Sequence, residues 1–164
     1  MEFITWVQST GVHRWFAEDV SWFPYPFTIA VHAMGMGVVI GMSWAVDLRL
    51  LGAVPEIPLR PLAKFFPVMW LGFLANATTG VGLFITHPEL LLNSVMWIKL
   101  TCIALGLVTM RLLQTRVFRN PHLEDGPLPL SSRLLAGTSI LFWAGAITAG
   151  RLTAYLGCGN GVCG

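Results

Sequence analysis

Residues His32 to Gly52 read HAMGMGVVIGMSWAVDLRLLG. The stretch opens on an imidazole and closes on the pair Asp47 and Arg49, and nearly everything between is apolar or glycine. A helix with this composition has no polar face to turn towards water. It fits hydrocarbon, where about 20 helical residues suffice to cross.

The rest of the chain agrees. Of its 164 residues, 55% are hydrophobic and only 11% are charged, and the mean hydropathy is +0.69. Soluble domains carry about a quarter charged residues, so this chain cannot present a solvated surface all round. A net charge of +2 without a basic run excludes nucleic acid as a partner. Apolar stretches near 24–50, 64–86, 92–114 and 132–156 predict four spans in a single membrane domain. The prolines of GAVPEIPLRP separate the first two, Pro88 in THPELLLN turns the chain after the second, and the polar RVFRNPHLEDGPLPLSSR joins the last two. Strands are not expected, because a spanning segment must satisfy its own backbone hydrogen bonds. The fold class is therefore all-α, an integral membrane four-helix bundle.

Seven of the ten lysines and arginines flank two connections: Arg49, Arg60 and Lys64 the first, Arg111, Arg116, Arg119 and Arg133 the last. The THPELLLN connection has none. Cytoplasmic loops carry the excess of basic residues, which predicts a bacterial inner-membrane protein with both termini in the periplasm. Residues 1–21 are too polar to span. Phe3, Trp6, Val7, Trp15, Phe16 and Trp22 give this segment an apolar side broken by Gly11, as expected of an interfacial amphipathic helix. It lacks the basic and apolar regions of a cleavable signal and is expected to stay in the mature protein.

Charged residues inside spans usually face a cavity or the bundle interior. Counted from the cytoplasmic ends at about 1.5 Å per residue, His32 lies roughly 27 Å up, Lys99 roughly 25 Å and Arg151 roughly 30 Å. Thr78 and Thr79 fall roughly 21–23 Å up. Three cationic or imidazole groups at one level, without an acid, call for an anionic or electron-rich ligand. Heme b fits, with imidazole on the iron and Lys99 and Arg151 on the propionates. A quinone bound by His32 and Lys99, or a lipid phosphate held by Lys99 and Arg151, are the alternatives. Each residue also has a plainer explanation: Lys99 and Arg151 snorkel to headgroups, and His32 bonds a backbone carbonyl of another helix. His87 is the candidate second axial ligand, although it sits about 7 Å above His32 on the same count. His32 with Met36 one turn on, and Met34 nearby, raises copper as a lesser alternative.

The remaining polar residues have structural expectations. His13 and His122 read as surface residues. Asp47 and Arg49, two apart on a helix, do not face each other; Asp47 is expected to pair with a basic group such as Arg111, and Arg49 with lipid phosphate. Gly35, Gly37 and Gly41 near His32, and Gly72, Asn76 and Gly80 on the second span, form small-residue stripes that let helices approach closely or make room for a flat macrocycle. Cys102 packs as a small hydrophobe. Cys158 and Cys163, in the tail GCGNGVCG on the periplasmic face, are expected to form a disulfide. No nucleophile elbow, phosphate loop or zinc-protease helix occurs in the chain.

In order along the chain, WFPYPF, VHAMGMGVVIGMSWAVDLRLLG, TGVGLF, WIKL and AGRLTAYLG resemble a family of bacterial four-helix membrane proteins, a domain of unknown function. The resemblance covers nearly the whole chain and implies its architecture. The spans are more loosely similar to the heme-binding four-helix protoporphyrinogen oxidases, which implies an axial role for His32 and a porphyrin or propionate contact for Lys99. This chain reads Val-Asp-Leu-Arg-Leu where those enzymes have Tyr-Leu-Pro-Arg-Leu. In gross layout the spans also resemble copper-resistance membrane proteins. Together these readings lead to an electron-transfer subunit with heme b or quinone in the periplasmic half of the bundle, served by other membrane subunits or a periplasmic redox protein. The alternative is a cofactor-free accessory subunit of a larger membrane complex.

Overall fold

The structure, a computed structural model, describes residues 2–18, 25–120 and 128–159. These form helices α1 (Glu2–Ser9), α2 (Gly11–Glu18), α3 (Tyr25–Leu51), α4 (Leu59–Leu62), α5 (Phe65–Thr86), α6 (Ser94–Leu112) and α7 (Leu130–Gly159), and no strand occurs among the described residues. Four helices are long and apolar enough to cross a membrane: α3, α4–α5 taken together, α6 with the turn that follows it, and the Leu130–Thr153 part of α7. The chain is a multi-pass, all-α membrane bundle in a lipid environment. Its outward faces carry the large apolar side chains that a soluble protein would bury; Leu141, for example, is 71% exposed.

Local chemistry explains the boundaries. Gly52, at φ +91°, ends α3 in the left-handed conformation that glycine adopts without strain. Ala53 N–H bonds Leu48 O at 3.0 Å and Gly52 N–H bonds Arg49 O at 3.1 Å, the paired bonds of a Schellman cap. Asn93 caps α6 by accepting from Val95 N–H at 2.9 Å. The third span runs past the expected residue 114, because a π-turn over Leu113–Val117 continues α6.

The N-terminal segment forms two helices where one broken amphipathic helix was expected. Thr10 is the reason: its Oγ1 donates to Val7 O at 2.6 Å and accepts from His13 N–H at 3.3 Å, closing α1 and capping α2 in one residue. Both helices lie against α5, and α1 also against the 3-10 turn Pro88–Leu92. Val7 is buried, whereas Trp6 and Trp15 are more than half exposed.

The four long helices pack as α5 on α3, α3 on α7 and α7 on α6. Glycine sets two of these contacts. A Cβ on Gly35 would stand 2.8 Å from Gly72 O, so α3 and α5 cross backbone to backbone. One on Gly106 would stand 3.0 Å from the Trp143 ring, where α6 receives α7. At the end where the basic residues gather, the basic end, Val46, Leu50, Phe66, Met69, Met110, Leu113 and Ala136 bring all four helices into one core. A second cluster around Val39, Ile40, Trp143 and Ala146 continues it to the level of Phe73 and Cys102. Consecutive in sequence, α5 and α6 nevertheless hardly approach each other along their lengths.

Candidate functional site

His32 stands on α3 where that helix crosses α5. Its Nδ1 lies 2.9 Å from Asn76 O and 3.1 Å from Thr79 Oγ1. A backbone carbonyl only accepts, so Nδ1 carries the hydrogen and donates. Thr79 spends its own hydrogen on Ala75 O, at 2.6 Å, and is left as an acceptor towards the ring. In the neutral imidazole the lone pair then sits on Nε2. Asn76 completes the pairing: its Nδ2 donates to His32 O at 2.8 Å. Gly80 makes room for the ring, since a Cβ there would lie 3.2 Å from His32 Cε1.

The plain expectation for His32, a bond to a carbonyl of another helix, is therefore realised, but through one nitrogen only. Nε2 has no hydrogen-bond partner among the described residues. A ring fixed by Nδ1–H on a carbonyl, with Nε2 free, is the arrangement in which protein histidines ligate metals.

Lys99, on α6, comes close enough for its charge to act on the imidazole. Its aliphatic stem rests on α7, with Cε 3.7 Å from the point a Cβ on Gly150 would occupy. Lys99 is half-buried, whereas the neighbouring Arg151 is exposed. Lys99 is thus within electrostatic range of His32, while Arg151 is turned to the outside. His87 is not brought in. It forms the exposed C-cap of α5, eight residues beyond Thr79 and so about 12 Å further along the axis. That separation does not place it opposite His32. Nor do the methionines gather there: Met36 packs against the Val39 and Trp143 cluster, and Met34 is 71% exposed.

Two sequence expectations outside this site are corrected. His13 is no free surface residue; its Nδ1 meets Ile85 O at 2.8 Å and fastens α2 to the end of α5. Asp47 does not pair with Arg111, which is exposed and donates to Gln114 Oε1 at 3.0 Å. Asp47 is instead fully buried, turned towards Ser43 and Ser139. Arg49 donates to the Ile57 carbonyl. Cys102 packs against Gly145 as the small side chain expected. His122, Cys163 and the side chain of Cys158 lie outside the described residues.

Asn76 was read from the sequence only as part of a small-residue stripe, and its role was missed. The available signal was an amide in the middle of an apolar span, where a polar group must find a partner across helices.

No family model matches the chain, and neither does a curated protein or a solved structure.

Proposed function

We propose that the chain is a membrane electron-transfer subunit that binds a b-type heme through His32, with Lys99 pairing a propionate. The observation that carries this reading is the state of His32: Nδ1–H committed to the Asn76 carbonyl, Nε2 bearing the unshared pair, and an ammonium nearby. A lone pair on Nε2 ligates iron directly, whereas a quinone carbonyl needs a donor there. Of the two redox ligands, heme is thus the better fit; a quinol hydroxyl could still donate to Nε2. The sparse contact between α5 and α6 makes that side of the bundle the one where a large flat ligand would enter. The two basic loops support a basic end in the cytoplasm of a bacterial inner membrane, with the His32 site in the periplasmic half. There it would exchange electrons with a periplasmic protein or another membrane subunit.

A second reading, a cofactor-free accessory subunit, is favoured by a different face. Gly37 and Gly41 open outward with nothing within 4 Å of an added Cβ. With the exposed Ala30, Ala33 and Ala45 they make a strip of small residues along the outside of α3. Such strips let another membrane helix pack closely.

The test is the protein purified gently from its native membrane. A pyridine extract showing heme b supports the first reading. Absence of heme, with quinone in an organic extract, replaces the cofactor. Absence of both, with other membrane proteins co-purifying and lost in Gly37→Leu, establishes the second reading.

A further inference from the structure

Asp47 has no exposed surface at all, and it lies among the apolar residues of the basic-end core. Ser43, one turn earlier on α3, donates to its Oδ2 at 3.3 Å. Ser139, on α7, stands behind it with its Oγ 3.4 Å from Ser43 Oγ, and Asp47 Oδ1 is left buried with no hydrogen-bond partner among the described residues. Among the described residues two other buried polar atoms share this condition, the indole Nε1 atoms of Trp44 and Trp143. Those are donors, and neither carries charge. Asp47 is the one acid among them.

An ionised carboxylate in a dry interior needs a full compensating charge, which two hydroxyl dipoles do not supply. The cationic side chains at this end lie elsewhere. Arg49, on the same helix, bonds Ile57 O. Arg111, of α6, bonds Gln114. Arg133, of α7, lies beside Gly52 at the end of α3. Arg60 and Lys64, bordering α5, and Arg116 and Arg119, following α6, are exposed. None of them pairs with Asp47 among the described residues. Among the described residues no group of three or more His, Cys, Asp or Glu side chains gathers, as a site for a divalent cation would require.

We propose that Asp47, Ser43 and Ser139 form a binding site for one small monovalent cation, a proton or Na+, at the seam between α3 and α7. As a proton site, the carboxyl is a neutral acid whose O–H can donate to Ser139. As a sodium site, Oδ1, Oδ2 and the two hydroxyl oxygens are the side-chain ligands. The cation sits at the opposite end of the bundle from His32, so the site stands whether or not a redox ligand binds there. Because the seam is closed around it, exchange of the cation requires α3 and α7 to part.

The full chain in phosphatidylcholine vesicles, at neutral pH, decides the matter by infrared spectroscopy and thermal unfolding in choline chloride and in sodium chloride of equal strength. For a proton, the wild-type minus Asp47→Asn difference spectrum shows a protonated-acid carbonyl band in both salts. For Na+, it shows a carboxylate band, and the thermal midpoint rises in sodium over choline for wild type but not for Asp47→Asn. A carboxylate band without any sodium-dependent rise overturns the proposal. If Asp47→Asn does not fold, Ser139→Ala takes its place. A shifted acid band or a weakened sodium response supports the site, and an unchanged acid band and sodium response overturn it.

Discussion

Asn76 and His32 hold each other by reciprocal bonds across α3 and α5: the amide of one donates to the carbonyl of the other at 2.8 Å, and the imidazole donates back to the Asn76 carbonyl at 2.9 Å. Only half of this clasp depends on the Asn76 side chain. Asn76→Ala is therefore expected to lower bundle stability by about 1 kcal/mol, the scale of an interhelical hydrogen bond in a membrane. The backbone carbonyl still fixes the His32 tautomer, so ligand binding is retained. Denaturant unfolding and ligand content of the purified variant check the two halves separately.

Gly80 controls the same ring from the other side. Its Cβ position lies 3.2 Å from His32 Cε1, and the ring is anchored at Nδ1. Gly80→Ala is expected to leave helix content unchanged and to shift the spectrum of a His32-bound heme. Gly80→Val displaces the ring further and lowers heme content several-fold. Absorbance per protein, alongside circular dichroism, measures both.

The glycines of α3 divide by the direction they face. Gly35→Ala drives a methyl to 2.8 Å from Gly72 O, backbone that cannot give without separating the helices. A loss of about 1–3 kcal/mol is expected, as for overpacking elsewhere. Gly37→Ala and Gly41→Ala meet open space and should change the stability of the isolated bundle by no more than about 0.5 kcal/mol. Thermal unfolding of the three variants side by side tests the crossing point directly.

This contrast marks the limit of what composition conveys. Four spans, their order and the absence of strands were legible because membrane helices must be long and apolar. Rotation about a helix axis was not. Gly35 and Gly37 are equal in sequence, yet one touches backbone and the other opens outward. Asp47 likewise turned away from Arg111 towards Ser43 and Ser139, an orientation set by how α3 and α7 pack. Asn76 hid among small residues because its partner is a main-chain carbonyl, which no side-chain pattern reveals.

Lys99 and Arg151 were grouped by depth, but burial separates them. Lys99→Gln is expected to weaken ligand retention several-fold, because it removes the half-buried charge within electrostatic range of His32. Arg151→Gln, altering an exposed side chain, should leave retention unchanged. Titration of the heme-depleted protein with hemin gives both affinities.

The most direct measurement is the reduced-minus-oxidised absorbance spectrum of the wild-type protein beside that of His32→Ala, with circular dichroism to show that both are folded. The predicted result is a b-type α-band in the wild type that is absent from the equally helical variant. A flat wild-type spectrum, or a band that survives in His32→Ala, would contradict the assignment of His32 as the heme ligand.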